Sequence, residues 1–169
     1  MMGLRMRRLL PALSLAALLA ACAANPFNAW DLQPGASRQD VLARLGPPTR
    51  VVAIPGGERL QYSVQPFGRY AWMVDLDGAG RVVRSRQVLQ LSEFNRIVPG
   101  QWTREDVERE FGPPARMDGV SSWNGPVLTY LWRDVDRSDM FYWVYLDSRN
   151  VVQRAHQGME FVNAPNERN

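Results

Sequence analysis

The chain has 169 residues, 46% of them hydrophobic and 22% charged, enough for one domain of ordinary size or two small ones. Its formal net charge is +3, but three of its 20 basic residues, all of which are arginine, fall within the first eight positions, and from Cys22 onward 17 arginines meet 17 acids. That balance leaves no standing positive field for phosphate, which excludes nucleic acid as a partner, and a lone cysteine excludes an internal disulfide.

The N-terminus comes first. Arg5, Arg7 and Arg8 make a positive segment, followed by an apolar run over 9–21 that only Pro11 and Ser14 interrupt. The run is short for a spanning helix, which needs about 20 apolar residues, and suits the hydrophobic part of a secretory signal. It ends Leu19-Ala20-Ala21-Cys22. Small residues ahead of a cysteine resemble the lipobox of bacterial lipoproteins, in which the thiol receives a diacylglycerol before cleavage. On this reading 1–21 is a signal peptide and Cys22 is the lipidation site. The other reading is an ordinary signal with an incidental cysteine; Met6 is an alternative start. Ala23, where sorting to the inner membrane would favour aspartate, points to the periplasmic face of the outer membrane. No second apolar run of spanning length follows, so the expected membrane attachment is the lipid alone.

The 148 residues from Cys22 contain an internal repeat. Ser37-Arg38, Asp40-Val41 and Gly46-Pro47-Pro48 match Thr103-Arg104, Asp106-Val107 and Gly112-Pro113-Pro114, 66 positions on and without a gap. Further on, Leu60 and Tyr62 match Leu128 and Tyr130, Val74 and Asp77 match Val144 and Asp147, and Val82-Val83 matches Val151-Val152. In each copy the spacing predicts a short helix. Ser37 and Thr103 are N-caps with an acid three residues on; Val41, Leu42 and Leu45, or Val107 and Phe111, make the apolar stripe. Gly46 and Gly112 suit a left-handed C-cap, and the proline pairs forbid continuation. After the first helix, alternation at Leu60, Tyr62 and Val64 predicts a strand, and 70–76 with 81–89 predicts a hairpin turning at Asp77-Gly78-Ala79-Gly80. The second copy gives strands at 128–133, 140–146 and 151–156. The expected fold class is therefore α+β, two tandem repeats, each a short helical part followed by a three-stranded antiparallel sheet. Repeat 1 with its anchor and linker covers 22–90, repeat 2 covers 91–162, and 163–169 is a C-terminal tail.

The helix motif, Ser/Thr-Arg-x-x-Val-x-x-x-x-Gly-Pro-Pro, preceded by Gly35 or Gly100 and followed by a turn-punctuated three-stranded region, resembles the SmpA/OmlA (BamE-like) outer-membrane lipoproteins. Those are small subunits of the machinery that assembles β-barrel outer-membrane proteins. As a tandem pair the chain also resembles the β-lactamase inhibitor proteins, which bind an enzyme with a concave, aromatic-rich sheet. The resemblance implies a non-catalytic protein-binding or scaffold component of envelope assembly or integrity, with an envelope protein such as the barrel-assembly machinery as partner. The alternative it leaves open is an inhibitor or modulator of a periplasmic enzyme.

Chemistry is sparse. His156 lies on the last predicted strand with no evident Ser or Asp partner. Asp77 and Asp147 are explained by turns. Asp134, Asp136 and Asp139 cluster in one loop but lack the glycine and terminal glutamate of an EF-hand. No catalytic residue, metal or cofactor is expected. The suggestive feature is an asymmetry between the repeats: Phe141, Trp143 and Tyr145 alternate on one strand where the first repeat has Ala71, Met73 and Asp75. They should face away from the helix, joined by Leu131, and are the candidate partner-binding residues. Trp102 and Trp123 are weaker candidates for the same surface. Either a partner covers this face, or the other repeat or a tail does.

Overall fold

The computed structural model describes residues 32–159. The signal segment, Cys22 and the 163–169 tail lie outside them. In chain order the elements are α1 (Arg38–Leu45), β1 (Arg50–Ile54), β2 (Gly57–Ser63), β3 (Ala71–Asp77), β4 (Val82–Gln87), α2 (Leu91–Phe94), α3 (Arg104–Phe111), β5 (Arg116–Gly119), β6 (Pro126–Arg133), β7 (Asp139–Leu146) and β8 (Val152–Met159). They form two antiparallel sheets of four strands each, in the orders β1-β2-β3-β4 and β5-β6-β7-β8.

This corrects the expected fold class. The chain is mostly β, with only about 16% helix, and is not two repeats of a helix with a three-stranded sheet. The missed strands are β1 and β5. Both are short edge strands: β1 is apolar at its exposed as well as its half-buried positions and β5 has only four residues, so neither sequence shows the period-2 alternation that marks a half-buried strand. The proline pairs before them stop the helices but leave the following residues free to pair with β2 and β6.

The helices follow local chemistry. Ser37 Oγ accepts from the Asp40 amide at 3.2 Å, and Asp40 accepts from the Ser37 amide at 3.0 Å. Thr103 and Asp106 repeat this reciprocal cap at 3.3 and 2.8 Å. The hydrogen bonds to Ser37 hold the Asp40 carboxyl below its ordinary range. The glycine caps differ from expectation. Gly46 (φ 76°, ψ −166°) and Gly112 (φ 80°, ψ −174°) combine positive φ with extended ψ, a region essentially reserved for glycine, rather than the left-handed helical one. Their carbonyls accept buried tyrosine hydroxyls, Gly46 from Tyr62 at 3.1 Å and Gly112 from Tyr130 at 2.9 Å.

Packing produces a layered order. Val41 and Leu45 of α1 bury against Leu60, Tyr62, Val74, Leu76 and Val82 on one face of the first sheet. Val107 and Phe111 of α3, with Phe94 of α2, bury against Leu128, Tyr130, Trp132, Tyr142 and Val144 on one face of the second sheet. Ala71 and Met73, from the other face of the first sheet, join this same core. The layers thus run α1, first sheet, α2 with α3, second sheet. Phe94 stacks on Tyr142 at 4.1 Å and meets Phe111 at 5.0 Å, so α2 is wedged into the centre.

Polar groups tie the middle layers together. Arg59, only 5% exposed, reaches Asp75 and Glu110 (2.8 Å to the latter), and Arg86 reaches Glu110 at 2.9 Å and also pairs with Glu93. At the sheet ends Gln65 bridges the units: its Nε2 donates to the Leu131 carbonyl at 2.8 Å and its Oε1 accepts from the Leu131 amide at 3.0 Å. β5 pairs with β6 only as far as Thr129, so the Gln65 amide takes the place that strand leaves open.

Candidate functional site

Strand alternation divides β7. Met140, Tyr142, Val144 and Leu146 are buried toward α3; Phe141, Trp143 and Tyr145 point the other way and are partly exposed. On the same outer face β6 contributes Val127, Thr129 and Leu131, all buried at the base. Register then builds the surface. Trp143 sits opposite Thr129 and His156, Tyr145 opposite Val127 and Arg154, and Phe141 opposite Leu131 and Gly158. The four proposed partner-binding residues, Leu131, Phe141, Trp143 and Tyr145, therefore share one face.

The rings form a continuous stripe. Phe141 lies 5.4 Å from Trp143, Trp143 lies 5.3 Å from His156, and the His156 ring stacks on Tyr145 at 5.4 Å. Trp123, from the β5–β6 loop, meets Tyr145 edge-on at 5.4 Å and is held by its indole N–H, which donates to the Leu146 carbonyl at 2.7 Å. Two arginines frame the stripe. Arg154 lies 4.0 Å over the Tyr145 ring and 5.6 Å over Trp123, and Arg116 lies 5.2 Å over Phe141. Arg116 pairs with Asp118 at 2.7 Å, whereas Arg154 has no carboxylate partner among the described residues. A Cβ on Gly158 would lie 2.5 Å from the Trp143 ring. The missing side chain is what lets the indole lie down across β8.

The other candidates fall elsewhere. Trp102 packs against Phe111 at 6.2 Å on the inner side and is not part of this face. His156 joins the stripe as an aromatic ring, its Nδ1 being 3.3 Å from the Gln157 carbonyl and not beside a Ser or Asp. Asp77 and Asp147 each accept backbone amides within their own turns, at 2.8–2.9 Å. Asp134, Asp136 and Asp139 do not converge: Asp139 pairs with Arg133 at 2.8 Å, while the other two accept loop amides. Among the described residues no three His, Cys, Asp or Glu side chains come together as a metal site would require.

A cleft of about 390 Å³ between β1 and α3 is lined by Arg50, Arg104, Arg109, Glu105 and Glu108, with Val52 and Asn150. Each of its arginines already meets an acid: Glu108 is shared by Arg50 at 3.1 Å and Arg104 at 2.6 Å, and Asp106 takes Arg109. The outer face of the second sheet, with its partly exposed aromatic stripe, is the stronger candidate site.

Sequence reasoning missed Arg116, Arg154 and Gly158, which β5 and β8 bring beside the stripe. A register drawn from the β7–β8 turn at Asp147 would place Gln153 and Gln157 opposite Tyr145 and Phe141. A bulge between Tyr145 and Leu146 shifts the pairing by one residue and brings Arg154 and Gly158 there instead, and no local signal locates Arg116.

No protein-family model matches the chain, and no curated protein matches it significantly. Among solved structures it is similar to a DUF4309 family protein, YjgB, from Bacillus subtilis, at 16% identity over 74% of this chain and 79% of that one, with a TM-score of 0.32. A score that low transfers neither fold nor function.

Proposed function

We propose that this chain is an exported, lipid-anchored protein-binding module of the bacterial envelope, which docks a partner on the outer face of its second sheet and has no catalytic role. The observation that carries the reading is the stripe Phe141–Trp143–Tyr145, extended by Trp123 and His156 and partly open to solvent. Aromatic rings bury large area at small entropic cost, which is why they concentrate at interfaces. Contiguous apolar surface is costly to leave exposed on a monomer, and the first repeat, packed on the far side of the second sheet, does not relieve it. The lipid at Cys22 would hold this face at the periplasmic side of the outer membrane, where envelope proteins, including the barrel-assembly machinery, are within reach.

Trp143→Ala tests the face. It is expected to leave the melting temperature nearly unchanged and to abolish capture of envelope proteins from solubilised membranes. A stability loss of about 3–5 kcal/mol, the cost of deleting a core aromatic, would make Trp143 a core residue and sink the reading. Cys22→Ser tests the anchor: the variant should leave the outer-membrane fraction. Unchanged fractionation would remove the lipid from the proposal.

A further inference from the structure

The outer face of the second sheet has a counterpart inside the molecule. Arg50, Gln61, Met73 and Arg86 form a row across the first sheet; Arg116, Thr129, Trp143 and His156 form the matching row across the second. On the first sheet that row is covered by the last turn of α3. Gln61 Nε2 donates to the Glu108 and Arg109 carbonyls at 2.9 and 3.0 Å, and Arg59 donates to the Arg109 carbonyl at 3.0 Å. These are carbonyls of the last helical turn, at its negative pole; Glu108 also accepts the Gly112 amide at 2.9 Å. The side chains follow the same logic: Glu108 reaches Arg50 at 3.1 Å, and Glu110 reaches Arg59 at 2.8 Å and Arg86 at 2.9 Å. This face of the fold, where it is occupied, receives a helix end bearing two carboxylates two residues apart.

The second sheet keeps one cation of that arrangement, moves another and changes its centre. Arg116 stands where Arg50 does, and Arg154, opposite Tyr145, stands where Arg84 does, opposite Asp75. Between them Met73 is replaced by Trp143, Asp75 by Tyr145 and Arg59 by Val127. Of the three cations that meet the helix end on the first sheet, Arg50 keeps a cationic counterpart in Arg116, which now pairs with Asp118, while Arg59 gives way to Val127 and Arg86 to His156. Arg154 adds a cation over Tyr145, and the buried ion pair at the centre becomes an aromatic floor. We propose that this face is the receptor for an amphipathic helix of a partner protein, seated as α3 is on the first sheet. An apolar side chain of that helix lies over Trp143 and Tyr145, and its carboxylates point to Arg116 and Arg154. The proposal rests on the reading that the face docks a protein, and adds which element it docks. A second copy of this chain is the wrong occupant. Its α1 carries Leu42, Ala43 and Arg44 at the positions of Glu108, Arg109 and Glu110, so it offers no carboxylate there and brings Arg44 onto Val127 and His156, the counterparts of Arg59 and Arg86.

The probe is a stapled helical peptide with the sequence of residues 103–112, titrated into the isotope-labelled full chain, beside the same peptide carrying Glu108→Arg and Glu110→Arg. The acidic helix should shift resonances of Arg116, Trp143, Tyr145 and His156 saturably. The reversed helix should bind roughly tenfold or more weakly, as like charges across an interface demand, and Arg116→Glu in the full chain should narrow that gap. Equal binding of both peptides, absence of saturable shifts, or shifts confined to Arg59 and Gln61, would overturn the proposal. So would a concentration-dependent dimer lost in Trp143→Ala, which makes the occupant a second copy. Binding that appears only once residues 160–169 are removed overturns it in favour of the chain's own tail. An envelope protein captured through Trp143 but indifferent to Arg116→Glu, with neither peptide binding, overturns the helix proposal and leaves the protein-binding reading standing.

Discussion

At the scale of single residues, the candidate surface depends on what is missing at Gly158. The Trp143 indole occupies the space where a Cβ would stand, with ring carbons 2.5 and 2.7 Å from that position. Gly158→Ala must therefore displace the ring. Because the atoms that move are the far end of a side chain, the fold itself should tolerate the change. The expected outcome is a melting temperature within a few degrees of the parent and a changed Trp143 environment, read from the indole resonance or from near-ultraviolet circular dichroism. An unchanged indole signal would show that Trp143 is not seated there. The same positions mark how far sequence reaches. Alternation alone places Phe141, Trp143 and Tyr145 on one side of β7, since successive side chains cannot do otherwise. It says nothing of Gly158, Arg154 or Arg116, because these meet the stripe through pairing register, which local pattern does not encode.

At the scale of elements, the helices are legible because their ends are chemical. A capping hydroxyl, an acid at the third position and a glycine followed by two prolines each satisfy or block particular backbone groups. The glycine geometry raises the stakes beyond a left-handed cap. With positive φ and extended ψ, Gly46 and Gly112 occupy a region that a Cβ disfavours strongly. Gly46→Ala and Gly112→Ala should each cost about 1–3 kcal/mol in denaturant unfolding; at Gly112 strain should dominate, since the added Cβ would come no nearer than 3.4 Å, to the Met73 terminal methyl. A neutral result at both sites would mean the caps are not conformationally demanding. The strands β1 and β5 were not legible for the opposite reason. They lie at sheet edges and bury little, so the exposed positions of β1 tolerate apolar residues as readily as its half-buried ones, β5 is only four residues long, and only the partner strands β2 and β6 define them.

At the scale of the molecule, the two units are joined by charges withdrawn from solvent. Burial pushes the Glu110 carboxyl up, but the guanidiniums of Arg59 and Arg86 more than offset it and hold it below the ordinary glutamate range. A carboxylate whose folded value is depressed stabilises the fold fully above its unfolded value, about 4.3 for glutamate, and loses that contribution as pH falls through the folded value. Acid should therefore loosen the contact between the units. Glu110→Gln should flatten this part of the stability–pH curve below pH 5 while lowering stability at neutral pH, where Arg59 and Arg86 lose their shared acid. An identical acid limb in the variant would place the sensitivity elsewhere. None of this clamp is visible in the sequence. Arg59, Gln61 and Arg86 read as the polar face of exposed strands, and only the seating of α3 on them turns that face inward.

The Gln65–Leu131 bridge has a consequence for what the molecule avoids. Beyond Thr129 the outer edge of β6 has no strand beside it among the described residues, and an open edge of this kind, in the aromatic-rich run at Leu131 and Trp132, is a template on which a foreign strand can grow. Gln65 offers Leu131 one donor and one acceptor in the pattern of a neighbouring backbone, so a single side chain does the work of a strand one residue long. The edge is plugged from within by the other unit. A strand that would extend the second sheet at Leu131 therefore meets a position whose amide and carbonyl are already taken.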